Sequence, residues 1–138
     1  MSKKFLVLAV LTITLILPGC SLFISTNNPE HITKSIDFSN QATMIMNRQG
    51  SKLEAQEMTQ VINFEKSALN EAKLVDIDTL NQHYNNFGDN WRDKYIKGLE
   101  LFIQGIEEAN NAKSLSGQKL LDDWSTWYSA NISEIQKK

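Results

Sequence analysis

An all-α fold is predicted from three features: apolar residues recur every three or four positions over long stretches, only two prolines interrupt 138 residues, and no Asn-Gly or Asp-Gly hairpin pair occurs. With 41% hydrophobic and 22% charged residues, the chain has the composition of a single packed core rather than of a disordered segment. The pattern predicts an antiparallel bundle of about four helices with one long, kinked third helix. This bundle is expected to occupy residues 29–138, after an N-terminal signal peptide (1–19) and a short segment carrying a lipidated cysteine and tether (20–28).

The N-terminus has the three parts of a secretion signal. Lys3 and Lys4 precede thirteen nearly all apolar residues, Phe5 to Leu17, and Pro18-Gly19-Cys20 closes the segment. As a helix, thirteen residues reach roughly 20 Å at ~1.5 Å each. A stable span needs about 20 residues to cross ~30 Å of hydrocarbon. The segment is therefore read as an export signal and not as a membrane helix.

Leu17-Pro18-Gly19-Cys20 resembles the lipobox of bacterial lipoproteins, with an aliphatic residue three before the cysteine and a small one directly before it. The resemblance covers the first twenty residues. It implies cleavage between Gly19 and Cys20, a diacylglyceryl group on the Cys20 thiol and an exported chain held to a membrane by lipid. Ser21 stands where an aspartate favours inner-membrane retention, so the resemblance implies the outer membrane of a Gram-negative cell or the outer leaflet of a Gram-positive plasma membrane. One acyl chain anchors only marginally at ~0.8 kcal/mol per buried methylene, so two or more are expected. Cys20 is the only cysteine, which excludes an internal disulfide and leaves stability to packing.

After the tether, Asn28-Pro29 reads as a helix cap followed by proline at the first helical position. The first helix is predicted from Pro29 to about Arg48, with Ile32, Ile36, Phe38, Ala42 and Ile45 on its apolar face, and Gly50 ends it. Ser51 restarts the chain into a second helix reaching about Lys73, whose stripe is Leu53, Met58, Val61, Ile62, Ala68, Leu69 and Ala72. Asp76 or Asp78 is expected to cap the third, whose stripe of Leu80, Tyr84, Phe87, Trp91, Tyr95, Leu99, Phe102 and Ile106 carries it to near Ala112. Gly88-Asp89-Asn90 interrupts this run while the stripe continues in phase, which favours a kink over a split. Leu115-Ser116-Gly117 reads as the last turn, before a final helix marked by Leu120, Leu121, Trp124, Trp127, Tyr128, Ile132 and Ile135.

Beyond residue 19 there are 12 basic and 16 acidic residues, a formal charge of −4, with the cations scattered singly apart from Lys137-Lys138. A nucleic-acid partner is not expected, because phosphate recognition needs a dense basic patch. Glu100, Glu107 and Glu108 are the best acid–base candidates, but Leu99, Phe102 and Ile106 define the buried stripe and place those carboxylates in solvent, without the burial that tunes a catalytic pKa.

Glu-x-x-His, His-x-x-x-His and Cys-x-x-Cys-His arrangements are missing, which leaves His31 and His83 as isolated histidines. Met44, Met46 and Met58 read as core filler rather than haem ligands, and Asp76-Ile-Asp78 lacks the following residues of a calcium loop. No cofactor, metal or catalytic residue is expected, and no enzymatic activity.

The candidate partner or ligand surface is Trp91, Tyr95, Gly98, Gly105, Trp124 and Trp127. Aromatic residues are enriched among interface anchors, and two glycines seven apart on one helix let another helix approach closely. Tight packing within the bundle is the competing reading for the glycines and for the tryptophans. The expected function is binding of a protein partner in the cell envelope, in an assembly or exclusion role. The alternative is a carrier or sensor of an apolar small molecule held among Tyr84, Phe87, Trp91 and Tyr95, which requires a cavity of roughly 300–1,000 Å³.

Overall fold

The computed structural model describes residues 28–49 and 53–135. Among them the fold is all-α: there are five helices and no strand. Three of the helices are α1 (Asn28–Gln49), α2 (Ala55–Ala72) and α3 (Ile77–His83). The fourth, α4, covers 87–107 and joins an α-helical turn (Phe87–Asn90), a π-helical stretch (Trp91–Ile96) and a further α-helical part (Lys97–Glu107) without a break. The last is α5 (Asn111–Ile135). The largest helix–helix interfaces are α1 on α2 and α4 on α5. The signal peptide, Gly19, Cys20, the tether to Asn27, and Gly50 and Ser51 lie outside the described residues.

Helix starts follow local chemistry. Asp76 caps α3, accepting from the Thr79 amide at 3.1 Å and the Thr79 hydroxyl at 2.8 Å, and these bonds lower its carboxyl pKa. Glu57 reaches back to accept from the Glu54 amide at 3.0 Å at the head of α2. Asn28 has a different role from the expected cap. Its buried amide accepts from the Asp76 N–H at 2.8 Å and donates to the Asp76 carbonyl at 3.2 Å, so it ties the start of α1 to the α2–α3 corner.

Two helix boundaries differ from expectation. The long third helix does not kink at Gly88; the chain separates into α3 and α4 just before it, with Asn86 in the left-handed region at φ 60°. The stripe stays in phase because Tyr84 and Phe87, on either side of the break, enter the same core. Gly88 serves proximity, since a Cβ there would overlap the Ile77 carbonyl oxygen. Asn81 and Asp89 exchange two hydrogen bonds of 3.2 Å across this corner.

The second correction concerns Leu115-Ser116-Gly117, which is not a turn but lies inside α5. The chain reverses at Glu108–Asn110, where Ala109 adopts φ 51° and the Asn110 amide donates to the Gly105 carbonyl at 2.7 Å, closing the end of α4. Asn110 then opens α5 by accepting from the Lys113 amide at 3.1 Å.

The π-helical stretch has a sequence cause. Phe87, Trp91, Tyr95 and Leu99 follow one another at four-residue steps, and each step advances ~40° around a 3.6-residue helix, so three steps would carry Leu99 about 120° off the starting face. A turn that holds more residues removes that drift. The Lys97 amide bonds to the Arg92 carbonyl five residues back, and all four side chains are buried together.

The core falls into two apolar clusters. The larger gathers residues such as Ile32, Ile36, Ala68, Leu80, Phe87, Trp91, Leu99, Trp124 and Tyr128; the smaller holds Ala42, Met46 and Val61, with Ile45, Phe64 and Phe102 against it. On α1 the boundary between them falls between Ile36 and Ala42, and on α2 between Val61 and Ala68.

Candidate functional site

Polar side chains occupy this boundary. On α2, Val61, Glu65, Ala68 and Ala72 succeed one another at the three- and four-residue steps of a buried face, so the backbone carries the Glu65 carboxyl into the interior, where the residue is 2% exposed. Ser39 on α1 donates a hydrogen bond to it. Oε2 has no protein hydrogen-bond partner. Burial raises the carboxyl pKa to about 8, and the Ser39 bond only partly opposes this, so Glu65 is largely protonated at neutral pH.

Nearby, the Ser35 hydroxyl donates to the Ala68 carbonyl at 2.7 Å, and the Tyr95 hydroxyl lies 3.1 Å from the same serine oxygen. Burial and the neighbouring Glu65 raise the Tyr95 phenol well above its usual range, with bonds to Ser35 and Ser39 working the other way.

A pocket of ≈ 70 Å³ opens beside Glu65. Its polar lining comes from Ser39, Asn40 and Thr43 on α1, Glu65 on α2, and Gln118, Asp122 and Ser125 on α5. Its apolar and aromatic walls are Ile36, Met46, Tyr95, Phe102, Leu121 and Trp124. Asp122 is exposed, and its carboxyl pKa is raised by partial burial and by Asp123. Among the described residues, two carboxyl residues and no lysine, arginine or histidine line the pocket.

No family model, curated protein or solved structure matches the chain.

Of the residues expected to form a partner or ligand surface, five are buried. Trp91 is fully buried and stacks on Tyr95 with ring centroids 4.3 Å apart, while Trp124 meets Trp91 edge-on at 5.2 Å. The Trp91 indole N–H donates to the Ala72 carbonyl at 3.1 Å, satisfying an end-group of α2. Trp127 is half-buried, edge-on to Phe87 at 5.8 Å. Gly98 and Gly105 face α5: Leu121 lies against Gly98, and a Cβ on Gly105 would overlap the Ser114 amide nitrogen. The glycines thus serve close approach of two helices of this chain, and the tryptophans form core. Only Tyr95 and Trp124 of the six border the pocket.

The carboxylates weighed as catalytic candidates make surface ion pairs, Glu100 with Lys73 at 2.9 Å, Glu107 with Lys66 at 2.5 Å and Glu108 with Lys113 at 2.6 Å. His31 meets Glu71 at 2.7 Å, and the exposed His83 ring lies 2.9 Å from the Thr79 carbonyl through Nδ1. Among the described residues no group of three or more His, Cys, Asp or Glu side chains is arranged to hold a metal ion.

Glu65 was missed by sequence reasoning. The available signal was its place between Val61 and Ala68 on an otherwise apolar face.

Proposed function

We propose that this protein is a lipid-anchored lipoprotein of the bacterial envelope whose helical domain works by non-covalent binding of a protein partner, in an assembly or exclusion role. The observation that carries the reading is the N-terminal series of two lysines, a thirteen-residue apolar stretch and Leu17-Pro18-Gly19-Cys20, which suits export and lipidation of Cys20. Among the described residues no helix is long and apolar enough to cross a membrane; attachment in this reading is by the lipid on Cys20. The domain behind it is read as a four-helix bundle of α1, α2, α4 and α5, with α3 as a short bridge.

A binding role is supported by where the chemistry sits. The pocket beside Glu65 is lined by the half-buried Asn40 from α1 and by the half-buried Gln118 and exposed Asp122 from α5, which gives a partner polar groups beside a partly apolar interior to engage. The carrier reading is less favoured: Tyr84, Phe87, Trp91 and Tyr95 pack in series, with neighbouring ring centroids 4.3–6.5 Å apart, and so fill the space that reading requires.

Crosslinking in the native cell, followed by mass spectrometry of what copurifies, tests the proposal against a Cys20→Ser control. One envelope protein recovered with the anchored form and lost with Cys20→Ser is the expected result. Recovery of no specific protein, or equal recovery from both forms, would contradict it.

A further inference from the structure

Two long helices stay apart in this fold. α1 packs on α2 and α5 on α4, while α1 and α5 share no substantial interface and are brought together only around the pocket, whose lining draws on both. Their relative direction follows from α4. Ser35 meets Tyr95 and Met46 shares a cluster with Phe102, so α1 runs with α4; Leu121 lies against Gly98 and Ser114 against Gly105, so α5 runs against it. α1 and α5 are therefore the antiparallel walls of a groove.

Both walls carry the same three kinds of residue in matching order. On α1, Asp37, Asn40 and Met44 succeed one another at three- and four-residue steps and form one ridge, and on α5 Leu115, Gln118 and Asp122 do the same. Asn40, Gln118 and Asp122 line the pocket, the two carboxyl residues are exposed, and Met44 and Leu115 are 45% and 51% exposed. Because the helices are antiparallel, the two exposed apolar side chains stand toward one end of the groove, the two amides at its middle and the two carboxyls toward the other end.

We infer that this groove receives a helix of the protein partner whose one face presents, over two turns, an apolar residue, a leucine, isoleucine or methionine anchor, and a lysine or arginine. The inference rests on the partner-binding reading and supplies the chemistry of that partner. The pocket fixes the anchor: at ~15 Å³ for each water-sized occupant, ≈ 70 Å³ takes about five heavy atoms, enough for one aliphatic side chain and too few for a phenylalanine or tryptophan side chain. Phe102, Leu121 and Trp124 give that side chain apolar walls.

Charge fixes the other end. Among the described residues neither Asp37 nor Asp122 forms an ion pair. The Asp122 carboxyl is held above the usual carboxylate range by partial burial and by Asp123, which Lys119 opposes only in part. A lysine or arginine arriving there meets unneutralised negative charge, whereas a phosphate-bearing partner is repelled. Spacing agrees, since Asp37 and Met44 lie seven residues apart, about 10 Å along α1, which is also two turns of a seated helix. A groove between two helices is the shape in which an amphipathic helix docks.

The test uses the full chain in its native cell, with p-benzoylphenylalanine in place of Leu115 and, as control, in place of Asn70 on the exposed side of α2. Irradiation at the Leu115 position should give an adduct with one protein, in a segment carrying the apolar, aliphatic and basic residues in that order along one helical face; the Asn70 position should not. Met44→Glu, or Asp37→Lys combined with Asp122→Lys, should reduce the adduct by about fivefold or more. A glutamate in place of the partner's basic residue should restore it to the double lysine variant. All three substituted residues are exposed, and circular dichroism melts check that the variants fold.

No protein adduct at the Leu115 position, an adduct with lipid or with a second copy of this chain, a crosslinked segment without a basic residue, or indifference to charge reversal would overturn the inference. Cys20→Ser keeps its failure separate from that of the envelope reading. The same groove adduct from Cys20→Ser would support the groove and contradict the anchored role, while an anchor-dependent adduct at Asn70 alone would do the reverse.

Discussion

Gly117→Ala is expected to lower stability by about 2–4 kcal/mol, although alanine favours a helix interior by about 1 kcal/mol over glycine. The two effects oppose each other, and geometry decides between them. A Cβ on Gly117 would overlap the Phe102 amide nitrogen and stand 2.7 Å from the Gly98 carbonyl oxygen, both backbone atoms of α4. A flexible side chain could swing away; a helix backbone cannot move without opening the α4–α5 interface. Gly105→Ala should behave alike, because its Cβ would overlap the Ser114 amide nitrogen and lie 2.6 Å from Ser114 Cα. Exposed Gln104→Ala serves as the control and should stay within about 0.5 kcal/mol. Urea denaturation of the three variants makes the comparison, and a stabilised Gly117→Ala would mean that α4 and α5 do not cross there as described.

Stability should fall as pH rises from about 5 to about 8, and Glu65 is the cause. In the folded chain its carboxyl keeps its proton up to about pH 8, whereas in the unfolded chain it loses it near the ordinary value of 4.5. Between those values the folded state holds more protons, so raising the pH favours unfolding, and each unit contributes up to about 1.4 kcal/mol. The loss over the whole window is on the order of several kcal/mol. Glu65→Gln removes the titration and keeps the shape, so its stability should be nearly flat over this range and exceed that of the parent by a few kcal/mol at pH 8. Chemical denaturation at closely spaced pH values reads both slopes. A parent chain whose stability rises between pH 5 and 8 would contradict the burial of Glu65.

The elements that sequence could reveal were those whose signal has one physical meaning. Within a helix Pro29 suits only the first turn, Asp76 supplies a cap acceptor three residues before Thr79, and the stripe from Leu80 to Phe102 faces a core because its rings are large and apolar. Signals with two meanings were harder to read. Glycine marks a turn through its backbone freedom and a close helix crossing through its missing Cβ, and Gly88 and Gly117 both proved to be the second. The true reversal uses Ala109 in the left-handed region, a residue that carries no turn signal of its own. Glu65 was hidden by its identity: a carboxylate is ordinarily assigned to solvent, and only the spacing of Val61, Ala68 and Ala72 around it places it inside. The run of three four-residue steps from Phe87 to Leu99 likewise held the signal for the π-helical stretch, which becomes evident once the drift of an ordinary helix is counted.

The most direct test of the proposed function is the intact mass of the protein extracted from membranes of its native cell. The account predicts a chain beginning at Cys20 and heavier than its polypeptide by a diacylglyceryl group, with or without a further acyl chain on the new amine, while Cys20→Ser accumulates as an uncleaved precursor without lipid. A native chain that retains Met1 or Ser2 and carries no lipid, or a Cys20→Ser variant with the same mass and membrane extraction as the parent apart from the substituted atom, would contradict it.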